Sequence, residues 1–322
     1  MTEAIPVPLA EKSTPRQLVL WAAQRFKDAN LFYGHGTDNP HDEAVYLVLR
    51  TLGLEFDVGE AALDQSLSDA ARQQVVELVD KRIQTRTPVA YLVNEAWFFG
   101  LAFYVDERVL IPRSPIAELI EQGFSPWLDS STVKRILDMG TGSACIAIAC
   151  AVAFPDTSVD AVDSSHAALD VARQNVHRHD LSARIRLIQS DLFEALDGEQ
   201  YDLIVANLPY VGENELAELP QEYRHEPESG LKAGDAGLEI VKRLLQQAKD
   251  HLNADGLLVV EVGNSQQALV NACPDTPFLW IDFIHGGEGV FIMSRDELVR
   301  LQGDNVNRIS KTHVMNDYKR ET

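Results

Sequence analysis

The sequence predicts an α/β chain in which a seven-stranded mixed sheet with an antiparallel edge hairpin follows a small helical domain. Three observations predict it. From residue 116 onward, short β-rich runs alternate with helical segments, the pattern of a mostly parallel sheet covered on both faces. The last two runs lie too close together for a helix between them, so they pair antiparallel at one edge. The first 87 residues instead carry apolar positions at helical spacing. A chain of 322 residues also exceeds one core of about 100–200 residues, so two domains are expected.

In chain order, Thr14-Pro15 supplies a cap and a first-turn proline, and Leu18, Trp21, Ala22 and Phe26 continue one helical face. A second helix starts after Asn39-Pro40 and runs to Gly53. A third starts near Ser68 with Ala71, Val75, Leu78 and Val79 on one side. Residues 88–115, PVAYLVNEAWFFGLAFYVDERVLIPRSP, are aromatic and β-branched, with breaks at Asn94-Glu95 and Gly100; they read as a hairpin linker. The sheet runs are VKRILDMG (133–140), SVDAVD (158–163), RIRLIQSD (184–191), YDLIVANLP (201–209), GLLVVEVG (256–263), FLWIDF (278–283) and GVFIMS (289–294). The expected division is therefore 1–87 helical, 88–115 linker, 116–300 sheet domain and 301–322 a flexible polar tail.

Composition narrows the function classes. Apolar residues make up 45% and charged residues 24% of the chain, which is globular composition. Lys and Arg number 28 against 49 Asp and Glu, a net charge of −21 that repels phosphate backbones and attracts a basic protein. The same charge also serves solubility alone. No run of about 18 uncharged apolar residues occurs, and MTEAIPVPLAEKSTP lacks a secretory h-region. The three cysteines, Cys145, Cys150 and Cys273, form neither a disulfide framework nor a CxxC pair. A cytoplasmic setting fits. No His/Cys/Asp cluster has metal-ligand spacing.

Two motifs carry chemistry. The loop Asp138-Met139-Gly140-Thr141-Gly142-Ser143-Ala144 follows the first sheet run and opens a helix. Its glycines let the backbone turn and approach a ligand. Asp163 ends the next run, where a carboxylate accepts hydrogen bonds from ribose hydroxyls or caps the following helix. Asp191 ends the third, with an adenine amine or a cap as its partner. Three carboxylates thus converge on the rim where open parallel sheets bind ligands. The loop holds no basic residue and no P-loop lysine. A ligand with ribose and adenine but no phosphate, such as S-adenosyl-L-methionine, suits it.

The second motif is Asn207-Leu208-Pro209-Tyr210 at the end of the fourth run. Proline keeps Leu208 out of the α region and so fixes its carbonyl direction. The Asn207 side-chain oxygen and that carbonyl both accept from one incoming –NH2 group, and Tyr210 stacks on a planar amide or base. A carboxamide nitrogen is a poor nucleophile. Gripping both its N–H bonds aims its lone pair, and alignment of this kind is worth at most about 7–11 kcal/mol.

On these motifs the chain resembles the protein-glutamine N5-methyltransferases, which join a helical domain to a Rossmann-like S-adenosylmethionine-dependent domain. Their marks are a hairpin ending in Pro-Arg, a D-x-G-T-G-S-G loop and an N-P-P-Y tetrapeptide. VAYLVNEAWFFGLAFYVDERVLIPRSPI, LPQEYRHEPESGL and EVGNSQQAL make it most similar to the branch acting on the third protein of the large ribosomal subunit. The resemblance implies that Asp138, Gly140, Thr141 and Gly142 surround the cofactor. It further implies that Asp163 holds its ribose and that Asp191 and Leu192 lie beside its adenine. Asn207, Leu208, Pro209 and Tyr210 would bind the substrate amide, Asn207 also bordering the cofactor, with Arg113 over the active site. Two residues depart from the pattern. Ala144 replaces a glycine, adding a methyl to the loop. Leu208 replaces a proline, keeping the carbonyl but losing the ring that locks φ.

Smaller signals stay structural. The acidic stretch 212–230 reads either as a mobile loop that touches a basic substrate or as a solvated loop. His225 within it is not required as a base. Trp21, Trp97, Trp127 and Trp280 read as core or domain-interface residues. Two alternatives to the protein methyltransferase remain: a nucleic-acid adenine N6-methyltransferase, favoured by Leu208 in N-L-P-Y, and a non-catalytic S-adenosylmethionine-binding assembly factor, favoured by Ala144.

Overall fold

The N-terminal helices begin where their caps place them. In the computed structural model, which describes residues 13–231 and 238–301, α1 spans Pro15–Asp28 behind a reciprocal capping box between Thr14 and Gln17. Helix α2 (Pro40–Thr51) starts at Asn39, whose side chain accepts from the Asp42 amide at 2.9 Å. A short α3 (Glu60–Leu63) follows, then α4 (Asp69–Thr85) capped by Ser68. Leu18, Ala22, Phe26, Leu47, Val48, Val75 and Val79, all fully buried, make the shared core of these helices.

Residues 89–93, expected within a β-rich linker, instead form a helical turn, α5 (Val89–Val93), ended by left-handed Asn94. Three of its five residues are buried, so packing overrides their β propensity. The hairpin itself is β1 (Ala96–Phe98) and β2 (Leu101–Phe103). Phe99 and Gly100 both take positive φ between the strands, as a two-residue turn requires.

The chain divides into two compact units, residues 1–113 with 219–227, and residues 114–218 with 228–322. The hairpin segment 88–113 therefore belongs to the helical unit rather than standing apart as a linker. So does 219–227, the centre of the acidic stretch read as a mobile or solvated loop. Its two buried carboxylates explain why. Glu222 accepts from the Phe32 amide at 3.1 Å and pairs with Arg82, itself 1% exposed, which also holds Glu43 at 2.6 Å. Glu226 accepts from the Ile111 amide at 3.1 Å and takes both terminal nitrogens of Arg113, at 2.5 and 2.7 Å. These acidic groups serve the fold of the helical unit. His225 likewise sits 2.8 Å from the Thr85 carbonyl.

In the second unit, α6 (Ile116–Glu121) precedes the sheet. The strands are β3 (Arg135–Met139), β4 (Ser158–Asp163), β5 (Ile185–Gln189), β6 (Tyr201–Asn207), β7 (Leu252–Glu261), β8 (Leu279–Trp280) and β9 (Val290–Ser294). Their order is β5-β4-β3-β6-β7-β9-β8. The first five are parallel; β9 runs antiparallel to both β7 and β8, giving the expected edge hairpin. The intervening helices are α7 (Cys145–Ala153), α8 (His166–Arg178), α9 (Glu213–Glu218), α10 (Glu228–Leu231), α11 (Glu239–Gln247) and α12 (Gln266–Ala272). The CIAIACAVA run of α7 is buried along most of its length, with Cys150 fully enclosed. Trp21 is a core residue at 3% exposure, whereas Trp97 and Trp127 are 39% and 37% exposed. Among the described residues, no helix is long and apolar enough to cross a membrane. The tail expected over 301–322 lies, beyond Leu301, outside the described residues.

Burial alone would push the Glu226 carboxyl up, but His35 and the charge and hydrogen bonds of Arg113 bring it from 4.5 down to about 2. A carboxyl lowered by folding stabilises above its unfolded value, and that stability is lost as pH falls through the folded one. Glu226→Gln is expected to cost about 3 kcal/mol at pH 7. Urea unfolding at a series of pH values should show the deficit shrinking between about pH 4.5 and 2.

Candidate active site

Strand register assembles the site. Strand β3 lies between β4 and β6, with Asp138 opposite Ala161 and Val205, and Met139 opposite Val162 and Ala206. The glycine loop and the tetrapeptide after β6 therefore leave the sheet side by side, where the strand order reverses direction.

Gly140 makes that proximity possible. Its φ is +77°, and a Cβ there would stand 2.7 Å from Leu208 Cδ2. The Leu208 side chain, 6% exposed, fills the space a larger residue would take. The loop is then pinned from behind. The amides of Gly140 and Thr141 both donate to the Val162 carbonyl at 2.8 Å, and buried Asn175 donates to the Ser143 carbonyl at 2.9 Å.

Asp138 and Thr141 do not face outward as expected of cofactor ligands. Asp138 is 1% exposed, and its Oδ2 accepts from the Thr141 hydroxyl at 2.6 Å and the Ala147 amide at 3.0 Å. The carboxyl satisfies an otherwise orphaned donor at the start of α7. Burial pushes it up to about 7, against the two hydrogen bonds that favour its charged form. Asp163 stays at the rim. Its oxygens accept from the Gly142 amide at 2.9 Å and the Ser165 amide at 2.8 Å, so it shapes the loop as well as the rim. Burial raises its carboxyl too.

Asp191 differs from its expected place. Strand β5 ends at Gln189, and Asp191 stands beyond it, exposed, with Oδ2 on Arg243 at 2.9 Å. Leu192 is buried in a left-handed conformation, φ +49°. Ala144 is also left-handed, φ +64°, and fully buried. Its departure from glycine thus costs roughly 1–2 kcal/mol in backbone conformation rather than in helix propensity.

At the end of β6, the Asn207 side-chain amide makes no hydrogen bond among the described residues, and the Leu208 carbonyl accepts none there either. The neighbouring Tyr210 is held firmly. Its carbonyl accepts from Ser265 Oγ at 2.6 Å, and its hydroxyl lies 3.3 Å from Glu261 Oε1. A Cβ on Gly263 would come within 2.6 Å of its ring, so one ring face rests on that glycine. Arg113 belongs to the helical unit, in its ion pair with Glu226.

Glu261 was not singled out by sequence reasoning. It is 6% exposed, lies opposite Asn207 across the β6–β7 pair, and accepts from Ser114 Oγ at 2.5 Å as well as from Tyr210. Beside it, a Cβ on Gly289 would strike the Gly263 backbone at 2.2 Å, and one on Gly287 would strike Pro115 at 2.6 Å. The detectable signal was a lone carboxylate closing the apolar run LLVVE, with glycine two residues on.

A mixed seven-stranded sheet with a glycine loop after its first strand and an asparagine-led tetrapeptide after its fourth defines a methyltransferase. Residues 124–222 match the family model described as Methyltransferase small domain. The ribosomal protein uL3 glutamine methyltransferase of Francisella tularensis subsp. tularensis (strain SCHU S4 / Schu 4) is 44% identical over 89% of this chain and 92% of its own. That of Bordetella pertussis (strain Tohama I) is 45% identical over 89% of this chain and 97% of its own. The chain belongs to this glutamine methyltransferase family. Among solved structures, the ribosomal protein L11 methylase from Lactobacillus delbrueckii subsp. bulgaricus matches with 24% identity, over 56% of this chain and 76% of that one, at a TM-score of 0.39.

Gly140→Ala is expected to destabilise the protein by about 2–4 kcal/mol, combining left-handed strain with overpacking against Leu208, as read by urea unfolding. For Asp138, raised by folding from 3.8 to about 7, stability is lost as pH rises between those values. Unfolding measurements should show Asp138→Asn gaining on wild type over that interval, by on the order of 4 kcal/mol, with no such gain below about pH 4.

Proposed function

We propose that this enzyme transfers a methyl group from S-adenosyl-L-methionine to the side-chain amide nitrogen (N5) of a glutamine in ribosomal protein uL3, in the cytoplasm. The observation that carries the reading is the Asn207 side-chain amide, without a hydrogen bond among the described residues, beside the glycine loop. An amide that the fold leaves unspent at a partly buried strand end is available to a ligand.

The residues present fit the cofactor. A Cβ on Gly142 would meet nothing within 4 Å, so open space faces the loop at that point. No basic residue occurs from 138 to 144, which suits a ligand with a cationic centre and no phosphate. Asp163 keeps lone pairs for ribose hydroxyls beside its two amide bonds. Leu192 offers an apolar side to adenine, and Asp191 Oδ1, the oxygen not engaged by Arg243, accepts its amine. Asp138 and Thr141 act from beneath, by fixing the loop backbone. When bound, S-adenosyl-L-methionine supplies an electrophilic methyl group on a sulfonium.

The chain's own residues then orient the acceptor. Asn207 Oδ1 and the Leu208 carbonyl accept the two N–H bonds of the glutamine carboxamide, while Pro209 and Tyr210 wall its plane. Gripping both N–H groups turns the nitrogen lone pair outward and holds it for in-line attack. No strong base is needed, because the nitrogen sheds its proton once it has gained the methyl and become more acidic. Leu208 and Tyr210 are themselves immobilised by Gly140, Glu261 and Gly263, so the grip is set before substrate arrives. The net charge of −21 suits a basic ribosomal protein and opposes the nucleic-acid alternative.

Asn207→Ala is expected to slow methyl incorporation into uL3 by about a hundredfold or more while cofactor affinity stays within about a factor of two. Single-turnover methylation and titration calorimetry measure the two quantities separately. Full activity in this variant contradicts the assigned grip.

A further inference from the structure

We propose that the helical unit carries an anchor pocket for an arginine side chain of the polypeptide substrate. This deepens the reading of the enzyme as one acting on a basic ribosomal protein. A cavity of about 340 Å³ lies wholly within that unit, walled by Tyr46, Phe56, Trp97 and Ile111-Pro112, with His35 and Asp42 as polar lining. Its volume is at the lower end for small-ligand pockets, enough for one long side chain.

The walls are exposed yet fixed. Phe56 and Trp97 are 44% and 39% exposed and meet edge-to-face at 5.5 Å. Buried Glu95 holds Trp97 and Tyr46. Its carboxylate accepts from Trp97 Nε1 at 3.2 Å and from Arg50 Nε at 2.7 Å, and its carbonyl accepts from the Tyr46 hydroxyl. A solvent-facing indole fixed by a buried carboxylate, with Phe56 set edge-to-face against it, makes a preorganised surface of the kind that anchors a partner.

The polar lining selects the occupant. The Asn39 amide, and then His41, hold the Asp42 carboxyl below its ordinary range, so the rim carries a full negative charge at neutral pH. The His35 side chain is 4% exposed, and its Nε2 has no hydrogen-bond partner among the described residues; Glu226 Oε2 is 3.8 Å away. A guanidinium suits this lining: it stacks on an indole and donates to a carboxylate, while its aliphatic stem lies on Ile111-Pro112. A purely apolar side chain makes no use of the Asp42 charge.

Equilibrium binding of purified uL3 to the full-length enzyme, read by fluorescence anisotropy without methyl donor, tests the pocket. Trp97→Ala and Asp42→Asn are each expected to weaken binding about tenfold, Trp97→Phe to retain most of it, and the exposed control Asp156→Asn to change nothing. L-Arginine amide should compete with uL3 on wild type, and L-citrulline amide, which differs in having an uncharged side chain, should not. Binding by Trp97→Ala and Asp42→Asn within about twofold of wild type, or equal competition by the citrulline compound, overturns the proposal. Should wild type fail to methylate uL3, the functional reading fails. The pocket is then judged by arginine amide alone, which must quench tryptophan emission saturably in wild type and not in Trp97→Ala.

Discussion

A glycine with no side chain lets one strand end lie across another. Gly140 and Leu208 leave neighbouring parallel strands, and the leucine side chain takes the place where a Cβ would have been. The loop that faces the proposed cofactor and the peptide that faces the proposed amide thereby become one packed object. Met139, at the base of the loop, and Leu208 sit on the same buried core, so displacing one strains the other. The Val162 carbonyl and Asn175 fix the loop from behind, and the X-Pro bond fixes Leu208 from ahead. Catalysis by alignment depends on this kind of rigidity, since a misplaced acceptor forfeits most of its advantage.

Buried carboxylates do much of the remaining holding. Glu261 ties Ser114, from the segment that enters the sheet unit, to Tyr210 of the tetrapeptide. In the helical unit, Glu222 and Glu226 tie residues 219–227 to Arg82, Arg86 and Arg113. A charge buried with bidentate or multiple donors is costly to orphan, so each acts as a specific fastener rather than a general source of stability.

The sheet was legible because its strands are short apolar runs of fixed period, and four boundary signals in the first hundred residues, Thr14, Asn39, Ser68 and Gly100, have local causes. The place of Asn207 at the end of β6 was legible for a similar reason: the apolar run before it stops at a polar amide followed by X-Pro. The illegible parts depended on distant partners. Nothing near Glu226 in sequence announces Arg113, and nothing near Asp138 says that its carboxyl turns inward to cap α7 instead of facing the rim. Residues 89–93 have β-forming side chains and became a helix because burial outweighed propensity. Ala144 read as a methyl added to the end of the glycine loop; its left-handed backbone is visible only in three dimensions.

The central claim is that an amide-gripping strand end directs a methyl group onto a glutamine nitrogen. The most direct measurement is peptide mapping by mass spectrometry after incubating the enzyme with isotopically labelled S-adenosyl-L-methionine and a mixture of ribosomal proteins and ribosomal RNA. The account predicts one labelled methyl on the side-chain nitrogen of one uL3 glutamine. Label on adenine, on another kind of side chain, or on no macromolecule would contradict it.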